Sequence, residues 1–89
     1  MKNTAKPFAL REIHYQLWTQ IKLFVDAHGY SPSIRELMRL MGWNSSSYVS
    51  LLLSDLEAEG CIRRTPGRTR TIVLVRLPDF IKTNEEAEQ

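Results

Sequence analysis

Residues 33–60, "SIRELMRLMGWNSSSYVSLLLSDLEAEG", contain two short helical patterns separated by a glycine, and a second glycine ends the stretch. Ser33 and Glu36 have capping-box spacing: the serine side chain accepts a backbone N–H three residues on, and the glutamate reaches back. A helix of about two turns is therefore predicted to start at Ser33 and to end at Gly42. A tight turn at Gly42 joins it to the second helical pattern, so the stretch predicts a helix-turn-helix.

The helix after this turn has its own start and stop signals. Residues 44–47, "NSSS", supply several possible N-caps, and Gly60 ends the pattern. Between them, apolar residues recur at helical spacing at Val49, Leu52, Leu53 and Leu56. One face of this helix is predicted to pack on the core.

A longer helix is predicted upstream, over residues 9–28. Its apolar residues recur at steps of three and four, the period of one helical face, at Leu10, Ile13, Leu17, Ile21, Phe24 and Val25. Gly29 follows as a stop signal, and the proline of "GYSPS" disfavours helix at the residue before it. The sequence thus predicts three helices before Gly60.

After Gly60 the spacing changes. "CIRR" and "RTIVLVR" are short β-prone runs on either side of "TPGR", where Pro66 and Gly67 occupy the positions favoured in a type II turn. This predicts a two-stranded antiparallel hairpin. The predicted fold class is therefore mainly α with a small antiparallel β-hairpin, a winged helix-turn-helix of three helices plus wing over residues 9–76, with an N-terminal extension at 1–8 and an acidic C-terminal tail at 77–89.

Charge is divided unevenly along the 89 residues. Residues 1–76 hold eleven Lys and Arg against six Asp and Glu, whereas residues 77–89 hold one Lys against four acids. A basic body of this kind suits a polyanionic partner. A length of 89 residues leaves room for one small core and for no separate catalytic domain.

Several classes of protein are excluded at this stage. A single cysteine allows no intramolecular disulfide and no four-cysteine or Cys/His zinc site, and His14 and His28 are isolated in sequence. No paired carboxylates, phosphate-binding glycine loop or nucleophile arrangement is present, so neither an enzyme, a cofactor, a metal nor a small-molecule substrate is predicted. No apolar run approaches the ~20 residues that span a bilayer, and there is no signal-peptide pattern. The prediction is a cytosolic protein that does not bind membranes.

The segments "HGYSPSIREL", "MGW" and "YVSLLLSDLEAEGCIRRTPGRTRTIVL" occur here in this order. Over about residues 10–75 the chain resembles the N-terminal DNA-binding domain of the LexA repressors, a winged helix-turn-helix. The resemblance implies that the helix at about 45–58 reads DNA and that residues 61–75 form the wing. The groove-facing positions it implies are Ser45, Ser47, Tyr48, Ser50 and Leu51. Family members also carry a C-terminal peptidase domain with a serine and lysine pair; this chain ends at residue 89, so no self-cleavage is expected.

Arginines are predicted to provide the affinity for double-stranded DNA. From residue 40 to residue 62 there is no Lys or Arg, so base contacts would rest on the serines and Tyr48. The residues predicted to contact phosphate are Arg35, Arg39, Arg63, Arg64, Arg68 and Arg70. Arg68, at the wing tip, is the first choice for insertion into the minor groove, because a narrow groove concentrates negative potential.

Three apolar side chains are predicted to face outward. Helix geometry leaves Leu51 outside the core face, and strand alternation turns Val73 and Val75 away from the core. They form a predicted contact with a partner protein or a second copy. The predicted function is a sequence-specific, double-stranded-DNA-binding transcriptional regulator, bacterial or from a bacteriophage. The alternative is a winged-helix protein-interaction module that binds a host regulator or polymerase, which the lack of basic residues in the reading helix favours.

Overall fold

The computed structural model of the chain describes residues 10–78. Three helices precede a two-stranded antiparallel sheet, in the order α1 (Glu12–His28), α2 (Ile34–Met41), α3 (Ser46–Ala58), β1 (Ile62–Arg63) and β2 (Val73–Leu74). This is the predicted winged helix-turn-helix. The predicted extension at 1–8 and all but two residues of the predicted tail at 77–89 lie outside the described residues.

Helix α1 begins at Glu12, later than predicted, because Arg11 is the N-cap and has extended backbone (φ −126°, ψ 178°). The Arg11 amide donates to Nδ1 of His14 at 2.9 Å, so a histidine side chain satisfies the cap. At the other end Gly29 has φ +82°, and its amide donates to the carbonyl of Val25 at 2.8 Å. The left-handed conformation at this position costs glycine little, which is why the helix ends where the sequence predicted.

The predicted capping box of α2 is present. Oγ of Ser33 accepts from the Glu36 amide at 3.1 Å, and the Ser33 amide donates to Oε1 of Glu36 at 2.9 Å. Gly42, with φ +72°, ends α2 and donates its amide to the carbonyl of Arg39 at 3.2 Å. This glycine makes the turn that brings α3 across α2.

The core lies between the three helices and the base of the hairpin. Its buried apolar side chains are Leu17, Trp18, Ile21, Leu37, Val49, Leu52, Leu53, Leu56, Cys61, Ile62 and Ile72. The indole N–H of Trp18 donates to the carbonyl of Cys61 at 3.4 Å and so ties α1 to the hairpin. Because α3 supplies Val49, Leu52, Leu53 and Leu56, one face of it is committed to the core and the opposite face is left for contacts with a ligand.

The hairpin is shorter and its loop longer than predicted. Each strand has two residues, paired as Ile62 with Leu74 and Arg63 with Val73, and residues 64–72 form the loop between them. The β-prone runs do not extend the ladder because Arg70 has φ +58°, a left-handed conformation incompatible with a strand. The wing is therefore a loop on a short two-stranded base.

Candidate nucleic-acid interface

The exposed face of α3 carries most of the groove-facing residues that the resemblance implied. Ser47, Tyr48 and Leu51 are exposed, and Leu51 lies four residues after Ser47 and three after Tyr48, so it neighbours both on the exposed side of the helix. Ser50 is half-buried at the edge of this face. Ser45 precedes the helix as its N-cap, and its Oγ accepts the Tyr48 amide at 3.1 Å, so that oxygen already has a structural partner.

The N-terminal end of α3 carries a packed aromatic pair and is open to an anion. The rings of Trp43 and Tyr48 pack edge to face with centroids 4.9 Å apart, which fixes the tyrosine beside the first turn. The first turn contains no acidic residue. Amides of a first helical turn lack intrahelical acceptors and mark the positive end of the helix dipole, so this end of α3 suits a phosphate.

The acidic residues in the C-terminal half of α3 have basic partners. Oδ2 of Asp55 lies 2.9 Å from Nε2 of the buried His14. Because Nδ1 of His14 accepts the Arg11 amide, Nε2 carries the proton and donates to the aspartate. Glu57 accepts from Nε of Arg64 at 3.2 Å. Arg64 thus offsets the charge of Glu57, and the imidazole of His14 satisfies Asp55 with a hydrogen bond.

The wing tip carries Arg68 on a defined turn. The carbonyl of Thr65 accepts the Arg68 amide at 3.2 Å, and Gly67 has φ +76°, as a type II turn requires at its third position. Below the tip, Oγ1 of Thr71 accepts the Thr65 amide at 3.0 Å and lies 3.4 Å from the carbonyl oxygens of Thr65 and Arg68. One threonine therefore closes the loop, and the Arg68 side chain at its tip is exposed.

Two of the six predicted phosphate ligands have intramolecular partners. Arg64 donates from Nη2 to Oγ of Ser54 at 3.2 Å, in addition to its contact with Glu57. Arg70 forms a bidentate pair with Glu36, with Nη1–Oε1 at 2.8 Å and Nη2–Oε2 at 2.9 Å. The Arg70 hydrogen bonds, with that from the Ser33 amide, lower the pKa of Glu36 to about 2, and the same pair raises the pKa of Arg70.

The other four arginines are available. They are Arg35, Arg39, Arg63 and Arg68. Their side chains are exposed, and within residues 10–78 their guanidinium groups have no hydrogen bond or ion pair. Arg35 and Arg39 are four residues apart on α2 and lie on the same side of it. Arg63 lies on β1, beside the inward-facing Ile62.

A groove of about 630 Å³ separates the wing from the helices. It brings together four of the predicted arginines, Arg35, Arg64, Arg68 and Arg70, with Glu57 the acidic residue among its lining side chains. The predicted Arg39 and Arg63, and the predicted residues of the α3 N-terminus, lie outside this groove. Most of the predicted residues therefore lie on two surfaces, the exposed face of α3 and the wing groove, whereas Arg39 on α2 and Arg63 on β1 lie on neither.

The predicted outward-facing apolar residues are exposed: Leu51 to 56%, Val73 to 48% and Val75 to 46%. Leu51 is on the α3 face described above, whereas Val73 and Val75 lie on and just after β2. Sequence reasoning missed Ser54, which continues the exposed α3 face three residues beyond Leu51 and positions Arg64. Helical spacing from Ser47 through Leu51 would have identified it.

Residues 10–78 contain neither a metal-ligand cluster nor a membrane-spanning helix. Among residues 10–78 no three His, Cys, Asp or Glu side chains are grouped as a metal site would need. None of the helices in that range has the length and apolar character to cross a bilayer. What the arrangement offers is a helix face with hydroxyl and aromatic groups beside a wing with free guanidinium groups.

Comparison with known proteins agrees with the resemblance drawn from the sequence. The LexA DNA-binding domain family matches residues 8–71. The LexA repressor of Moorella thermoacetica is 46% identical over 55 residues, 62% of this chain and 27% of that protein. The LexA repressor of Staphylococcus carnosus is 41% identical over 73 residues, covering 82% of this chain and 34% of the relative. The LexA repressor of Clostridium botulinum strain Hall is 40% identical over 60 residues, covering 67% of this chain and 30% of the relative. The chain spans about a third of the length of these relatives, and it belongs to the LexA DNA-binding domain family.

Proposed function

We propose that this protein binds double-stranded DNA sequence-specifically and regulates transcription by occupying promoter DNA. The observation that carries the proposal is an exposed α3 face beside a wing in which Arg63 and Arg68 have no carboxylate partner among residues 10–78, in a chain of this family. The relatives are named repressors and come from bacteria, so we place the protein in the bacterial cytosol, acting on chromosomal or bacteriophage DNA. No catalytic step is part of the proposal.

In the proposed complex, α3 enters the major groove with its N-terminal end toward the bases. Ser47, Tyr48 and Leu51 contact base edges, with Leu51 placed to meet a thymine methyl group. Ser45 and Ser50 flank them. Serine hydroxyls bond to several bases, so each base contact contributes at the low end of the usual range, about 1 kcal/mol of discrimination. The wing and phosphate contacts supply most of the affinity.

The phosphate contacts are proposed to come from Arg35, Arg39, Arg63 and Arg68. Among residues 10–78 these four guanidinium groups have no carboxylate partner, so they can bind phosphate without breaking an ion pair. Arg64 and Arg70 would each have to break one. Arg68 is proposed to enter the minor groove from the wing tip, since its turn is closed by hydrogen bonds and its side chain is exposed. Arg64 contacts Ser54 and Glu57 of α3 and offsets the charge of Glu57.

Contact with a second protein molecule stays a prediction. Leu51 is accounted for by the DNA face, so the exposed pair Val73 and Val75 is proposed as the surface for a second copy. A dimer formed through this surface would bind a DNA site with two-fold symmetry, because operator symmetry mirrors protein symmetry. The protein-interaction alternative rested on the absence of basic residues from α3, and the match to the LexA DNA-binding domain family does not favour it.

The proposal is tested by selection from a random duplex library at about 0.15 M salt, where non-specific binding is weak. Wild-type protein is compared with Arg68→Ala and with Lys22→Ala. Lys22 is an exposed cation on α1 that pairs with Asp26 at 3.0 Å, so its removal changes net charge by the same amount away from the proposed interface.

Enrichment of one motif that Arg68→Ala binds poorly and Lys22→Ala binds normally is the expected result. A two-fold motif would additionally support a dimer on DNA. If no motif is enriched, and the residual binding of all three proteins is equal, the regulator proposal is wrong and a protein partner should be sought on Leu51 and Val73.

A further inference from the structure

Arg70 joins the wing to the beginning of the helix-turn-helix. Its guanidinium forms the bidentate pair with Glu36, thirty-four residues earlier, at 2.8 and 2.9 Å. Nη1 also donates to the carbonyl of Ser31 at 3.3 Å, and the group lies 5.0 Å from the centroid of the Tyr30 ring. Carboxylate, carbonyl and aromatic face contact one side chain, so three of the five guanidinium N–H donors already have acceptors and the charge already has a carboxylate partner.

The backbone at Arg70 is strained in a way that serves these contacts. Among residues 10–78 it is the one non-glycine residue with positive φ, at +58°. Side chains other than glycine rarely adopt this conformation, and it persists where surrounding contacts over-determine it. Here the conformation interrupts the extended backbone of the wing, and the side chain contacts Glu36 of α2.

Glu36 takes part in two structures at once. The carboxylate that receives Arg70 also accepts the Ser33 amide at 2.9 Å and completes the capping box of α2. Two residues beyond Arg70, the Ile72 amide donates to Oγ of the buried Ser31 at 3.1 Å. The descending side of the wing is thus attached to the residues that precede and begin α2.

We infer that Arg70 is a positioning residue: through Glu36 it fixes the wing against α2, and so sets where Arg68 meets DNA. The inference rests on the proposed function. It differs from the sequence-based prediction that Arg70 contacts phosphate. A carboxylate near a DNA-binding surface repels phosphate, so on charge alone the loss of Glu36 charge should tighten binding. If Glu36 holds the wing in place, the same change should weaken it.

The test uses Glu36→Gln and Arg70→Lys in the full chain, with Asp26→Asn as the control. Glutamine also serves at the third position of a capping box, so Glu36→Gln keeps the start of α2 while it loses the ion pair. Lysine keeps the charge at position 70 but cannot make the bidentate contact. Asp26 is an exposed acid on α1, and its neutralisation reports the simple charge effect.

We expect Glu36→Gln and Arg70→Lys each to weaken binding to the selected duplex about tenfold, within the span of couplings in ion-pair networks. Asp26→Asn should bind as well as wild type or slightly better. The charge-reversed double variant, Glu36→Arg with Arg70→Glu, restores the pair with unchanged net charge and should recover part of the loss.

Amide hydrogen exchange of residues 65–71 in the free protein provides an independent readout. Faster exchange in Glu36→Gln and Arg70→Lys, with α1 and α3 unchanged, is expected if the pair holds the wing. Unchanged exchange, or Glu36→Gln binding DNA as tightly as wild type or more so, would overturn the inference. If the wild-type protein binds no duplex, the proposed function fails, and exchange alone decides whether Arg70 fixes the wing.

Discussion

The salt dependence of DNA binding depends on which arginines already have carboxylate partners. Arg64 is paired with Glu57 and Arg70 with Glu36, which leaves four of the six predicted phosphate ligands free within residues 10–78. Each phosphate contact on B-DNA contributes about −0.9 to the slope of log affinity against log salt. Four contacts for each protein molecule bound give a slope of about −3.6, whereas six would give about −5.4.

These slopes are far enough apart to measure. Between about 0.05 and 0.2 M salt, four contacts reduce affinity about 150-fold and six reduce it about 2,000-fold. Fluorescence anisotropy with a labelled duplex, titrated at four or five KCl concentrations in this range, gives the slope directly. Arg68→Ala should make the slope shallower by about 0.9, and Lys22→Ala should leave it unchanged.

Two outcomes would contradict this assignment of the arginines. A slope near −5.4 would mean that Arg64 and Arg70 leave their carboxylates to bind phosphate, which would also contradict the positioning role of Arg70. A slope shallower than about −1 would mean that the free arginines do not face DNA.

Three further predictions concern stability. Leu53→Ala, at a completely buried position, should reduce the free energy of unfolding in urea denaturation by about 2–5 kcal/mol. Leu51→Ala, at an exposed position, should change it by no more than about 0.5 kcal/mol, and equal losses would mean that the two faces of α3 are wrongly assigned. Gly42→Ala, where φ is +72° and an added Cβ meets no atom within 4 Å, should cost only the backbone strain of about 1–2 kcal/mol by thermal denaturation; a much larger loss would reveal a clash. Because the pKa of Glu36 is lowered from 4.5 to about 2, its pairing stabilises the fold above pH 4.5, and this contribution is lost as the pH falls through about 2. Glu36→Gln should remove this part of the acid sensitivity in urea midpoints measured from pH 7 to 2. If the pH curves of the variant and the wild type have the same shape, the assignment is contradicted.

The helices could be predicted from sequence because their signals are local. The Ser33 and Glu36 box, the glycines at 29, 42 and 60, and the apolar spacing of α3 all act within about one helical turn. Each of these signals correctly placed a helix end or a buried face. The start of α1 was missed because His14, at the third helical position, accepts the Arg11 amide, a role that glutamate or glutamine usually has in a capping box.

The hairpin was predicted less well, for a reason that lies outside it. β-branched residues and a Pro-Gly pair favour strands and a turn, and both are present. The length of the strands depends on Arg70, whose left-handed backbone is stabilised by Glu36, Ser31 and Tyr30. No pattern within the hairpin contains that information.

Local patterns along the chain were enough to specify three helices, a wing, the buried and exposed faces of α3, and the family to which the chain belongs. They could not specify which arginines are free. Along the chain the turn signal places Arg68 at the wing tip, but nothing local indicates that Arg70 has a carboxylate partner and that Arg68 has none among residues 10–78. Folding brings Glu36 to within 3 Å of Arg70 and leaves Arg68 exposed, because ion pairs depend on distances between residues far apart in sequence.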